Sequence, residues 1–196
     1  MEDDDDANGA VDSRRTNTYD ADGNLIKVED DNDADGVVDS RRIASYDANG
    51  NRTLLELDNN ADGAVDARNT STYDVNGDNV LFESDTNADG SVDYRQTYTH
   101  DAFGNILTIE TDTNGDGVTD AIVTYSYDAI GNRLKLETDS NADGVVDSTD
   151  TSTYDANGNL TMEEGDSNGD GVADSRTLIQ SYTGINRWKI NSPPDG

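Results

Sequence analysis

The chain has 196 residues, a formal net charge of -30 and only 32% hydrophobic residues. Such a field excludes nucleic acid and anionic membrane surfaces as partners, no apolar run is long enough for membrane insertion, and the lack of cysteine excludes disulfides. Composition alone borders on disorder, but a strict internal period argues for a folded chain.

Residues 2–190 divide into seven units of 27 residues, opening on Glu2, Glu29, Glu56, Glu83, Glu110, Glu137 and Glu164. The units are 2–28, 29–55, 56–82, 83–109, 110–136, 137–163 and 164–190, with 191–196 as a tail. A fixed period means one supersecondary unit stacked on copies of itself, hence a single repeat array rather than two globular domains. Met1 is followed by Glu2 and a row of aspartates, not by a basic and then apolar leader, so a mature or excised form is expected.

Each unit begins with an acidic loop of pattern Asp-x-(Asp/Asn)-x-(Asp/Asn)-Gly-x-x-Asp. Its oxygen donors are Asp4, Asp6, Asn8 and Asp12 in the first copy, then Asp31, Asp33, Asp35 and Asp39, and Asp58, Asn60, Asp62 and Asp66. The fourth and fifth copies supply Asp85, Asn87, Asp89 and Asp93, and Asp112, Asn114, Asp116 and Asp120. The last two supply Asp139, Asn141, Asp143 and Asp147, and Asp166, Asn168, Asp170 and Asp174. Side chains at positions one, three and five converge on one point, glycine at six permits the sharp turn, and the carbonyl at seven and the aspartate at nine complete the set. Asp, Asn and Gly also make ordinary turns, but seven in-register copies with donors at every ligand position favour an ion. These are the first three-quarters of an EF-hand loop, and the ion expected is Ca2+, about one per repeat.

Position twelve departs from that pattern. The usual glutamate is replaced by Arg15, Arg42, Asn69, Gln96, Val123, Asp150 and Thr177. The segment after each loop has no helical period, so the loops lead into strands. They resemble the aspartate-rich loops of dockerins and thrombospondin type 3 repeats, and that resemblance implies a chiefly structural ion. A missing ligand predicts weak sites, on the order of 10⁻⁴ to 10⁻³ M, filled outside a cell and empty in cytosol. An extracellular or cell-surface location follows from that inference. The glutamate before each loop either supplies the missing ligand or points to solvent.

Between loops runs a second motif, Tyr19-Asp20-Ala21-Asp22-Gly23-Asn24, repeated as Tyr46 to Asn51 and Tyr154 to Asn159 with close variants between. It reads as a β-hairpin, glycine supplying the positive φ of the turn. A four-residue turn with Tyr154 opposite Asn159 puts the tyrosine column on one face with Ile26 and Val28, Val80 and Phe82, Leu107 and Ile109, and Leu134 and Leu136. The loop valines Val38, Val65, Val92 and Val146 are expected to close the same face. That core is thin, so calcium is expected to decide folding. The Tyr-Asp-x-x-Gly turns resemble the YD repeats of Rhs-type bacterial proteins and teneurins in six of seven units, with His100 replacing the first tyrosine in the fourth. The metal loop in every unit is a departure from that family. The fold class expected is all-β: a repeat array of hairpins and calcium loops forming an elongated antiparallel meander or a solenoid-like spiral.

The opposite face carries Thr16 and Thr18, Thr70 and Thr72, Thr97 and Thr99, and Thr151 and Thr153. β-propensity and cross-strand hydroxyl pairs explain these first. Covalent glycans on these threonines, or on the sequon residues Asn51, Asn69 and Asn159, are the second reading, and ice binding a third. In the last unit Trp188 and Ile190 read as an apolar plug, and Pro193 and Pro194 as an edge guard competing with a docking surface for a next subunit. No catalytic set emerges: His100 is the sole histidine, and the carboxylates are equivalent sevens rather than pairs in different environments. The reading is a non-enzymatic, calcium-stabilised surface rod or fibre subunit that self-associates head to tail. Its alternatives are a carbohydrate, ice or protein receptor using the threonine face, and a fragment of a larger YD-repeat toxin or adhesin.

Overall fold

Alternation of apolar and polar residues over short segments, punctuated by Gly-containing turns every half repeat, produces strands and nothing else. A computed structural model describes residues 2–3, 11–179 and 189–190, with the backbone alone at 3, 189 and 190. Asp4, Asp6 and Asn8, the turn residues 181–186, Trp188, Pro193 and Pro194 lie outside the described residues. The chain is an all-β antiparallel meander whose strand order follows chain order, with no helix among the described residues. It divides into two compact units, residues 1–96 with 113–116, and residues 97–112 with 117–196.

The first unit holds β1 (Glu2–Asp3), β2 (Ser13–Tyr19), β3 (Leu25–Asp31), β4 (Ser40–Tyr46), β5 (Arg52–Asp58), β6 (Ala67–Tyr73) and β7 (Asn79–Asp85). β8 (Tyr94–His100) is shared between the units. The second holds β9 (Ile106–Asp112), β10 (Ala121–Tyr127), β11 (Arg133–Asp139), β12 (Ser148–Tyr154), β13 (Leu160–Asp166), β14 (Ser175–Leu178) and β15 (Lys189–Ile190). From β2 to β14 acidic loops join odd strands to even ones, and Tyr-Asp turns, His100-Asp101 after β8, join even strands to odd ones. Ile190 pairs through its backbone with Thr177.

The hairpin register corrects the four-residue turn. Asp47 N–H donates to Asn51 O at 2.9 Å and Gly50 N–H to Asp47 O at 3.1 Å, so the loop proper has three residues and Gly50 takes φ 84°. Tyr46 therefore faces Arg52 and Tyr154 faces Leu160, not Asn159. A bulge comes at once: Ser45 pairs with Leu54, leaving Thr53 unpaired. Relative to the expected register the turn shifts the pairing by one residue and the bulge by one more in the same direction. The remaining strand therefore keeps the facing that parity predicts but not the partners: Tyr125 is opposite Leu136 rather than Leu134, and Ala44 opposite Leu55 rather than Thr53.

Val28, Leu55, Phe82, Ile109 and Leu136 accordingly share the tyrosine face. Phe82 meets Tyr94 edge-on, ring centroids 6.3 Å apart. Val28 is the buried hydrophobic side chain among the described residues, and the rest of the column is half-buried. A single sheet layer cannot enclose a side chain from above, which is why the core is as thin as its composition suggests. Tyrosine adds a polar tie: Tyr46 Oη donates to Leu25 O, Tyr73 Oη to Arg52 O, Tyr127 Oη to Ile106 O and Tyr154 Oη to Arg133 O, each at 2.9–3.1 Å. Every such bond reaches back 21 residues, so it stitches one hairpin to the one before.

Candidate metal centre

Each acidic loop starts on the last residue of a strand, which fixes where its first ligand points. Asp31, Asp58, Asp85, Asp112 and Asp139 are 6–8% exposed, the buried polar residues of the described chain. Their Oδ2 accepts the N–H of the position-six glycine: Gly36, Gly63, Gly90, Gly117 and Gly144 donate at 2.8–3.1 Å, and Gly171 does the same to Asp166. Position three accepts from the N–H of position five in Asp33, Asn60, Asn87, Asn114, Asn141 and Asn168. The position-five residues Asp35, Asp62, Asp89, Asp143 and Asp170 accept from position seven.

Position nine closes the loop twice over. The N–H of Asp39, Asp66, Asp93, Asp120, Asp147 and Asp174 donates to the carbonyl just before the loop. Their carboxylates fold inward: Asp39, Asp66, Asp93, Asp147 and Asp174 accept the N–H of position two. The hydroxyls of Thr86, Ser140 and Ser167 and then their backbone N–H groups hold Asp93, Asp147 and Asp174 below the ordinary carboxylate range. Position four takes positive φ, 52–55° for Ala34, Ala61, Ala88 and Ala142. The loop backbone is thus coiled so that its aspartates and asparagines accept the loop's own N–H groups.

Two observations test whether a hard cation fits. In the second loop, carboxylate oxygens of Asp31, Asp33 and Asp39 lie within 4.8 Å of one another. Oδ1 of Asp31, Asp58 and Asp85 is buried with no hydrogen-bond partner. A buried, unpartnered carboxylate oxygen is costly unless a cation or water meets it. All-oxygen donors of this kind suit Ca2+. Of the first loop only Asp12 is described. The fifth divides between the units, Thr113–Asp116 in the first and Asp112 with Asp120 in the second.

The glutamates before the second, third, fourth and seventh loops pair with arginine. Glu29 faces Arg41 across the strands, Glu56 faces Arg68 and Glu164 faces Arg176. Ion pairs join Glu29 to Arg41 at 3.1 Å, Glu56 to Arg68 at 2.7 Å and Glu83 to Arg95 at 2.6 Å, and Glu164 pairs with Arg176. Lys27 and then Arg41 hold Glu29 below the usual carboxylate range. Where a cation stands across the strands this glutamate belongs to a charge ladder rather than pointing free to solvent, whereas Glu110, opposite Ile122, is exposed. The recurring Glu–Arg spacing of 12 residues was the sequence signal for that ladder, and the metal motif masked it.

The loop valines are on the other face from the one expected. Val65 lines a groove of about 70 Å³ with Arg41, Ile43 and Glu56, and Val92 one of about 140 Å³ with Arg68, Thr70 and Glu83. The cause is the first aspartate: its side chain is on the threonine face, so the loop folds back over that face. The threonines there stand among charges, Thr16 opposite Glu29, Thr18 opposite Lys27, Thr70 opposite Glu83 and Thr151 opposite Glu164. Thr16, Thr18, Thr72, Thr99 and Thr153 are exposed, while Thr70, Thr97 and Thr151 are half-buried. Thr99 and Thr108 hydroxyls bond at 2.6 Å. Of the sequon residues, Asn51 and Asn159 spend their Nδ2 on Asp47 and Asp155, and Asn69 is half-buried opposite Leu55.

At the opposite edge, the Tyr-Asp turn explains its own motif. Asp20 Oδ1 accepts the N–H of Asp22 and Asn24, and its Oδ2 accepts Asn24 Nδ2. Asp47 and Asp101 repeat all three bonds. Aspartate is needed to accept, asparagine to donate and glycine to take positive φ.

A meander of such hairpins is a fold seen before. The crystal structure of TcdB2-TccC3-TEV matches with a TM-score of 0.55 and 17% identity, over 90% of this chain and 10% of that one. The chain thus shares its repeat β fold while spanning about a tenth of its length. A porin-like protein from Bacteroides uniformis matches at a TM-score of 0.35 and 11% identity, over 89% of this chain and 85% of that one. No protein-family model matches the chain, and no curated protein matches its sequence. No helix among the described residues is long and apolar enough to cross a membrane.

Proposed function

We propose that this chain is a non-catalytic structural element whose repeats are stapled by Ca2+, one ion per acidic loop, in an extracellular or surface setting. The buried, unpartnered Oδ1 of Asp31, Asp58 and Asp85 carries the reading, because such an oxygen is costly unless a cation or water meets it, and Asp31 stands with Asp33 and Asp39 in one cluster. Charge supports it: at -30, seven divalent ions would cancel about half of the excess. The half-buried apolar column supports a structural need, since a single sheet layer buries little apolar surface to stabilise the fold. Head-to-tail stacking of copies through the exposed sheet ends is part of the proposal, and the strand-end edges would carry it.

A second reading has its own support. The fold shared with TcdB2-TccC3-TEV over a tenth of that chain fits a segment of a longer YD-repeat protein, with the meander as wall rather than fibre. Calcium titration followed together by far-UV circular dichroism and sedimentation velocity tests both. Rising β signal with larger assemblies supports a calcium-dependent fibre, and rising β signal in a monomer favours the segment. A spectrum and melting curve indifferent to excess chelator overturn the calcium staple.

A further inference from the structure

Grooves on the threonine face share one frame, and the one over the seventh loop is hollow. Over the third loop, register sets Lys27, Ile43, Glu56 and Arg68 in one row across β3–β6, and Glu29, Arg41 and Asp58 in the next. Over the seventh loop the same rows read Lys135, Thr151, Glu164 and Arg176, then Glu137, Thr149 and Asp166. The flanking charges are alike. Lys27 stands 2.7 Å from Glu29 and Lys135 2.5 Å from Glu137, while Arg68 pairs with Glu56 and Arg176 with Glu164. The centre differs: two threonines stand where the third loop has Ile43 and Arg41.

That difference opens a cavity. The groove measures about 540 Å³ over the seventh loop, against about 70 Å³ over the third and about 140 Å³ over the fourth. Of the three, the largest alone has the volume of a small-ligand site. The fourth-loop groove already has Thr70 where Thr151 stands, so the extra space comes from Thr149 in the place of Arg68 and Ala173 in the place of Val92. Arg41 shows what that central place accepts. Its Nε donates to Glu29 Oε1 at 3.1 Å, and its Nη1 to Asp58 Oδ2 at 3.2 Å, an oxygen that also takes the N–H of Gly63. Asp166 Oδ2 takes the N–H of Gly171 in the same way, at 2.8 Å.

We propose that the groove lined by Thr149, Thr151, Glu164 and Asp166 binds the guanidinium of an arginine presented by a peptide, seated between Glu137 and Asp166 as Arg41 is seated between Glu29 and Asp58. A planar fork of N–H donors matches two carboxylates held apart by one strand. The threonine hydroxyls add acceptors on the floor. Lys135 does not forbid the cation, because Lys27 and Arg41 already share Glu29. The excess of negative charge draws cationic ligands toward the sheet. This inference goes beyond the calcium reading and makes no use of an ion.

Titration of the whole 15N-labelled chain with N-acetylarginine amide, followed by NMR, tests it, with the neutral isostere N-acetylcitrulline amide as the control. Run in excess Ca2+ and again in excess chelator, the arginine probe is expected to shift amides of 149–151, 164–166 and 171–173. It should bind at least about tenfold more tightly than the citrulline probe, since its bonds to the carboxylates are charge-assisted. Thr149→Arg fills the place from within and should weaken the arginine probe at least about tenfold. Glu137→Gln should weaken it at least about threefold, and it decides the matter if Thr149→Arg fails to fold. Equal affinity for the two probes, or groove amides that stay in place in both Ca2+ and chelator, overturns the proposal. So does a folded Thr149→Arg chain that binds like the wild type.

Discussion

Gly115→Ala separates loop stacking from backbone strain. Position four of the acidic loop already holds alanine in four copies at φ 52–55°, and Gly115 has φ 71°, so alanine can adopt the local backbone. Its neighbours differ. A methyl on Gly115 would fall 1.7 Å from Val92 O, 2.7 Å from Val92 C and 3.0 Å from Asp93 Cα. Carbon–oxygen contacts close at about 3.3 Å, so the two backbones must part by about 1.6 Å. Neither can rotate away as a side chain would. Overpacking of this kind costs about 1–3 kcal/mol, and each kcal/mol lowers the melting temperature of a chain this size by about 2–4 °C. Gly169→Ala is the milder companion, its methyl 2.3 Å from Val146 O. Parallel thermal melts by circular dichroism in Ca2+ should rank wild type above Gly169→Ala above Gly115→Ala. A Gly115→Ala protein that melts with the wild type refutes the close stacking of residues 113–116 on the fourth loop.

The same geometry sets three further outcomes. Tyr46→Phe removes the bond to Leu25 O and should cost about 1 kcal/mol, read as a lower urea midpoint with an unchanged slope. The turn aspartates give a pH dependence. Asp20, Asp47, Asp101 and Asp155 are held below their ordinary value of 3.8 chiefly by asparagine side chains, and Asp74 and Asp128 chiefly by the backbone N–H of Asp78 and Asn132. A depressed folded pKa contributes stability that is fully present above the unfolded value and lost as pH falls through the folded one. Amide exchange at the turns, corrected for intrinsic rate, should therefore be flat above pH 5 and accelerate below about pH 4. Protection that rises on acidification would contradict this. Finally, Phe103 and Ile130 stand at turn tips, 87% and 74% exposed, where Asn49, Asn76 and Asn157 stand in other units. Phe103→Asn with Ile130→Asn should leave the melting temperature within about 2 °C, because exposed tips contribute little, and should reduce dye binding to exposed apolar surface.

Much of the architecture was legible in the chain because period and parity are local properties. A 27-residue recurrence, with Gly-containing turns at half-period, dictates hairpins in sequence order, and the Tyr–apolar column comes from alternation alone. The loops were also legible as turns, since their aspartates and asparagines accept backbone N–H groups within the same nine residues. The register of the Tyr-Asp turn was not. Tyr46-Asp47-Ala48-Asn49-Gly50-Asn51 is compatible with either a four-residue turn or a three-residue turn with a bulge at Thr53, because both put the same residues on the same face and differ only by a two-residue shift in partners.

The hairpin succession and the face of each strand residue were determined by the sequence itself, both set by alternation and turn chemistry local to the backbone. Tertiary structure decided which groups from neighbouring strands meet them. Glu56 reads as a spare ligand until Arg68 pairs with it, and Asp58 and Asp166 read alike until Arg41 faces one and Thr149 the other. Those pairings join residues 12 and 17 positions apart through the sheet register. Register is where the charge balance of each loop is settled.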